Sequence, residues 1–100
     1  MQSIGELVRS LREKEGYPLQ KLAAFLDIDQ AVLSKIECGQ RRLTKEQVIK
    51  LADFFNYNEK EMLVTFFSDQ IIHEIGNGEY AKDALKVARE KIEYLKKKKR

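Results

Sequence analysis

Apolar residues recur at helical spacing along almost the whole chain, interrupted where turn-forming residues cluster. Ile4, Leu7, Val8 and Leu11 fall at i, i+3, i+4 and i+7, and Ser3 with Glu6 has the spacing of a capping box, which predicts a first helix ending at Gly16. After Tyr17-Pro18 a second stripe runs through Leu22, Ala23 and Leu26. Asp27-Ile28-Asp29 breaks it, and Leu33 and Ile36 resume the period before Gly39. The pattern is a helix, a tight turn and another helix from about Gln30 to Cys38, with Asp29 as N-cap and Gly39 as the residue that closes it. Thr44 with Gln47 repeats the capping-box spacing ahead of a stripe of Val48, Leu51, Ala52 and Phe55, and Asn56-Tyr57 ends that helix.

Asn58, with Glu61 three residues on, opens a fifth helix. Its apolar positions, Leu63, Phe66, Phe67, Ile71 and Ile75, extend beyond what sealing a core needs, and such a surplus usually meets a partner. Gly76-Asn77-Gly78 is the clearest turn. Beyond it Ala81, Leu85, Ala88, Ile92 and Leu95 are spaced 4, 3, 4, 3, the heptad rhythm of a helix–helix seam. The seam is short, so packing back on the fifth helix, within a chain or across a dimer, stands level with a free two-stranded coil. An antiparallel hairpin at Gly76, doubled, gives a four-helix dimer interface.

The third helix turns Leu33 and Ile36 inward and leaves Gln30, Ala31, Ser34, Lys35 and Cys38 on its outer side. With Leu22-Ala23, Asp27-Ile28, Ser34-Lys35-Ile36-Glu37 and Gly39, the stretch resembles the lambda-repressor-like (XRE) helix-turn-helix DNA-binding proteins of phages and bacteria, over roughly Ile4 to Leu63. The resemblance implies an all-α fold: a five-helix lambda-repressor-like helix-turn-helix domain with an additional C-terminal helix. Residues 1–66 would form the DNA-binding domain, 67–95 a helical dimerisation extension and 96–100 a basic tail.

Several residue roles come with that resemblance. Arg12 is expected to pair with Glu37. Gln30, Ala31, Val32 and Lys35 match base-contacting positions: a glutamine can pair with adenine, an alanine or valine can touch a thymine methyl, and a lysine can donate to guanine. Gln40, Arg41 and Arg42 form the loop that holds the sugar-phosphate backbone, and Ser34 can reach a phosphate or bond back to its own helix. The chain departs from the family at Pro18 and Leu19, where relatives usually carry Ser or Thr and then Gln. Leu19 cannot hold a phosphate through its side chain, which leaves Gln20, Lys21 and the amides at the helix start to compensate. Cys38 replaces a polar residue and reads as an inert, partly buried thiol. Phe66, Phe67, Ile71, Ile75, Leu85, Ala88, Ile92 and Leu95 are the expected homodimer interface.

Composition narrows the functional classes. Of the 19 basic residues, five are Lys96 to Arg100, which leaves 14 basic against 16 acidic in the rest of the chain. The net charge of +3 is therefore made by the tail, and the electrostatic case for DNA rests on the cluster Lys35, Arg41, Arg42 and Lys45. A single cysteine suits a reducing compartment, and neither a long apolar run nor a signal-peptide pattern occurs, so a cytoplasmic protein with no membrane partner is expected, and the resemblance implies bacterial or phage origin and association with the nucleoid. His73 stands without a Cys or second His at ligand spacing, and no phosphate loop or nucleophile–base arrangement appears. No metal, cofactor or enzyme activity is expected. The expected function is a homodimeric, sequence-specific, double-stranded DNA-binding transcription regulator on an inverted-repeat operator. The alternative is a protein-interaction or antitoxin-like adaptor that keeps the helix-turn-helix as a scaffold, its protein partner unknown.

Overall fold

The structure is a computed structural model that describes residues 2–98, so Lys99 and Arg100 of the expected basic tail lie outside the described residues. Those residues are helical with no strand, in the order α1 (Ile4–Lys14), α2 (Leu19–Leu26), α3 (Gln30–Glu37), α4 (Lys45–Phe54), α5 (Glu59–Ile75) and α6 (Ala81–Lys98). Lys96, Lys97 and Lys98 form the last turn of α6. The chain divides after Asp69 into two units.

In the first unit one core gathers a stripe from each helix. Val8, Leu22, Leu33, Val48, Leu51 and Met62 are fully buried, and Leu7, Ala23, Leu26, Ile36, Leu43, Ala52 and Phe66 complete the interior. Burial at this level contributes about 1.5–3 kcal/mol per large aliphatic or aromatic side chain, which is what holds helices of eight to eleven residues that would not persist alone.

Helix ends are set by local chemistry. Ser3 Oγ accepts from the Glu6 amide at 3.2 Å while Glu6 Oε1 accepts from the Ser3 amide at 3.1 Å, and Thr44 with Gln47 closes the same reciprocal box at 3.1 and 2.9 Å. The Ser3 amide, donating to the carboxylate, holds the Glu6 carboxyl below its ordinary pKa. Asn58 Oδ1 accepts from the Glu61 amide at 2.9 Å. At the other ends, Gly16, Asp27, Gly39 and Asn56 each take a left-handed conformation, with φ of 71°, 56°, 81° and 51°. After α3 the Gly39 amide donates to Ile36 O at 3.1 Å and the Gln40 amide to Lys35 O at 2.8 Å, a Schellman stop that satisfies the last free carbonyls. The same double bond ends α1 at Tyr17, α2 at Ile28 and α4 at Tyr57.

Two tertiary contacts lie outside the hydrophobic pattern. Asp69 on α5 accepts from the Ile4 amide at 2.6 Å, so a carboxylate far along the chain caps the start of α1 and meets the positive end of its dipole. Gly5 is buried against the end of α3, where an added Cβ would collide with Ile36 O and come within 3.0 Å of Glu37 O. Glycine at that point lets the backbones of α1 and α3 touch.

Three expectations are corrected. Phe66, assigned to a dimer interface, is 4% exposed and fills the chain's own core. Met62 and Phe66, four residues apart, share the inward line of α5, and Phe67, about 100° further round, is exposed. Asp29 occupies the N-cap of α3, but its side chain accepts no capping hydrogen bond. Cys38 is exposed at the end of α3, because Ile36 and Glu37 take the inward positions of that turn.

The second unit, from residue 70, contains the end of α5, the turn at Gly76 with φ 65°, and α6, which buries no residue. No helix among the described residues is long and apolar enough to cross a membrane.

Gly5→Ala should lower the stability of the chain by roughly 1–3 kcal/mol despite alanine's higher helix propensity, because the added methyl meets backbone that cannot rotate away. A urea midpoint that stays level or rises would show that α1 and α3 can part without loss.

Candidate nucleic-acid interface

α2, the left-handed turn at Asp27 and α3 form a helix-turn-helix. Ile28 is half-buried in the turn and anchors it to the core. With Leu33, Ile36 and Glu37 buried, α3 presents Gln30, Ala31, Ser34, Lys35 and Cys38 on one continuous exposed arc. Val32 lies at the margin of that arc. It is half-buried, packs on the core, and lines a shallow depression with Ala24, Asp27, Ile28, Asp29 and Arg41.

The orientation of α3 is set by one ion pair. Arg12 reaches from α1, donating from Nε to Glu37 Oε2 at 2.8 Å and from Nη2 to Glu37 Oε1 at 3.0 Å, while Nη1 donates to Tyr17 O at 2.8 Å. The Arg12 side chain is 12% exposed and that of Glu37 5%. One guanidinium thereby ties α1, the α1–α2 link and the last turn of α3 together, in the two-pronged geometry that fixes both ends of a pair. Hydrogen bonding to Glu37 raises the Arg12 pKa further above its ordinary value, with burial opposing.

The flanks of α3 are polar. Gln40, Arg41 and Arg42 are exposed in the loop that follows the Schellman stop, and Lys45 is exposed in the first turn of α4. Among the described residues the ion pairs are Arg9–Glu13 and Arg12–Glu37, so Lys35, Arg41, Arg42 and Lys45 have no carboxylate partner. α1, α4 and α5 begin with side-chain caps, whereas α2 at Pro18 and α3 at Asp29 begin with none, which leaves their first amides without a side-chain acceptor. Leu19, where a phosphate-binding glutamine was expected from relatives, is half-buried and packs on the core. Gln20 and Lys21 are exposed beside it, and the Lys21 ammonium sits 3.8 Å from the centroid of the Tyr17 ring, a cation–π contact.

An aromatic group braces this edge and had no signature in the periodicity. Phe54 lies 4.4 Å from Phe25, 5.0 Å from Phe55 and 5.6 Å from Tyr17, centroid to centroid, so α4 is pinned against α2 and its entry loop. Gly5 did leave a trace, a glycine inside a strong helical stripe, which often marks close backbone approach. Asp69 left none.

An all-helical domain with a buried α2–turn–α3 unit and an exposed outer arc on α3 is a helix-turn-helix domain. A helix-turn-helix family model matches residues 8–62, more than half of the chain, and the chain belongs to that family, the DNA-binding transcription regulators of XRE type. These are DNA-binding regulators and not a family of enzymes. The chain is 36% identical over 52 residues to a protein of Thermococcus kodakarensis named as an HTH-type transcriptional regulatory protein; the match takes in 52% of this chain and 16% of that one. The chain thus spans under a fifth of the length of that relative. It is also similar to the crystal structure of the restriction-modification controller protein C.AhdI from Aeromonas hydrophila, with a TM-score of 0.53 and 27% identity, over 59% of this chain and 89% of that one.

Removing one member of the buried pair should be severe and removing both mild. Arg12→Met is expected to cost about 3–5 kcal/mol by stranding the Glu37 carboxylate, while the double change Arg12→Met with Glu37→Met should recover most of that loss. Urea unfolding of the three chains checks this, and a double variant no better than Arg12→Met would show that the loss does not come from a stranded carboxylate.

Proposed function

We propose that this chain is a sequence-specific, double-stranded DNA-binding transcription regulator that works as a homodimer on an inverted-repeat operator. The observation that carries the reading is the outer arc of α3, exposed along its length while its inner side is locked by Arg12 and Glu37. A helix held this way can enter the major groove without rearrangement. Gln30, Ala31 and Lys35 then face base edges, and Val32 contributes the exposed margin of its side chain to a thymine methyl. Gln40, Arg41 and Arg42, with Ser34, Gln20, Lys21 and the open amides of α2, fix the register on the phosphates. The likeness to a restriction-modification controller protein supports a regulatory role.

A single unit of this kind reads only a few base pairs. Phe67 and Ile71, 42% and 43% exposed on α5, with half-buried Ile75, supply an apolar contact between copies. Two copies related by a two-fold axis read two half-sites one helical turn apart, about 34 Å. Such a protein works where the chromosome is, in the cytoplasm of a cell without a nucleus. The uncovered apolar residues beyond Phe66 also favour a second reading, an adaptor of the antitoxin kind that binds another protein through this region; the two activities can share one chain.

Lys35→Ala should lose about 1–3 kcal/mol at the preferred site and little on unrelated DNA, whereas Arg41→Ala should weaken all DNA and reduce the salt slope by about one unit. Anisotropy titrations across salt concentrations separate the two, and equal losses for Lys35→Ala on every duplex would make that residue a phosphate contact. Phe67→Asp with Ile71→Asp should convert a dimer to monomers in sedimentation equilibrium without loss of helical content, while a dimer that persists would move the contact elsewhere.

A further inference from the structure

α6 carries an apolar seam that the structure leaves uncovered. No residue of Ala81–Lys98 is buried, and Leu85, Ile92 and Leu95 are 40%, 55% and 56% exposed. In heptad register Leu85 and Ile92 take a positions, and Ala81, Ala88 and Leu95 take d positions. The flanking positions are then Lys82, Arg89 and Lys96 on one side and Ala84, Lys91 and Lys98 on the other. Every charge beside the seam is positive. The helix has acidic residues too, but Asp83, Glu90 and Glu93 all fall at outer positions, and neither ion pair found among the described residues lies on α6.

This arrangement opposes closure of the seam by a second α6. A parallel pair sets the g position of one helix beside the e position of the next heptad in its partner, which brings Lys91 against Lys96. An antiparallel pair sets e against e and g against g, again cation against cation. Repulsion in both directions is the device by which helical seams reject copies of themselves and select a different partner.

We propose that α6 docks a helix of another protein, an acidic amphipathic segment with apolar residues along one stripe and Glu or Asp at the positions that flank it. From Ala81 to Leu95 the seam is about 21 Å long at 1.5 Å per residue, which calls for a partner helix of roughly 15 residues. Alanine at two of the five seam positions lets the two helix axes come close, which suits a docked helix. None of these residues lies in α2, α3, the loop after α3 or the stretch from Phe67 to Ile71.

The test uses the full chain and two synthetic helical peptides of about three heptads, both with Ile and Leu at the seam positions, one carrying Glu at every flanking position and the other Lys. By anisotropy the Glu peptide should bind about tenfold or more tighter than the Lys peptide, with the preference shrinking as salt rises. The combined change Arg89→Glu, Lys91→Glu and Lys96→Glu, all on exposed positions, should reverse the preference, and Ile92→Asp should abolish binding of either peptide. Equal affinity for the two peptides overturns the proposal. Dissociation of a dimer of the full chain by Ile92→Asp would also overturn it, by placing a second copy on the seam. So would tighter binding to phosphatidylserine vesicles than to the Glu peptide, lost in Ile92→Asp, which would assign the seam to lipid.

Discussion

The bidentate pair of Arg12 and Glu37 is the constraint on which the geometry of the interface depends. A helix-turn-helix can present its third helix only if that helix cannot roll, and a ridge of Leu33 and Ile36 in an apolar core tolerates small rotations. A carboxylate near the end of α3, buried and held on two oxygens by a guanidinium from α1, does not. The same guanidinium also satisfies Tyr17 O, so the approach of the chain to α2 is fixed by the group that fixes α3. The pair works because everything around it brings α1 and α3 together: Gly5 allows their backbones to meet, and Asp69 closes the start of α1 from α5.

Stability and function are divided along α3 itself. Its inward positions Leu33, Ile36 and Glu37 are buried, while Gln30, Ala31, Ser34, Lys35 and Cys38 stay exposed. The loop after α3 repeats the division, with Gly39 and Gln40 completing the helix stop through their backbones while Arg41 and Arg42 stand free in solvent. Beyond Asp69 the balance reverses. Among the described residues beyond Asp69 none is buried.

Much of the fold could be read from the residues, because it is written in local chemistry. Ser3 with Glu6 and Thr44 with Gln47 sit at spacings whose hydrogen bonds follow from helix geometry, and Gly16, Gly39 and Asn56, where helix ends were expected, each take a left-handed conformation. What depends on how helices meet was not legible. Phe66 and Phe67 are neighbours of like hydrophobicity, and only the angle at which α5 meets the core sends the first inward and the second outward. Asp69 is one more surface acid until α1 is placed beside it, and Phe25 and Phe54 look like unrelated aromatics until α2 and α4 pack. Of the interface, the division of α3 into an inner and an outer side followed from the period of Leu33 and Ile36, while the half-burial of Val32 and Leu19 needed the tertiary structure. Cys38 looked suited to partial burial by type, yet its place in the helical period puts it outside.

Selection of bound sequences from a random duplex pool, followed by anisotropy titration of the enriched duplex at several salt concentrations, tests the central claim most directly. The account predicts a two-fold symmetric motif whose affinity falls steeply as salt rises, since cations on both subunits displace counterions from the phosphates. Failure to enrich any motif, with weak binding that disappears at moderate salt, would contradict it.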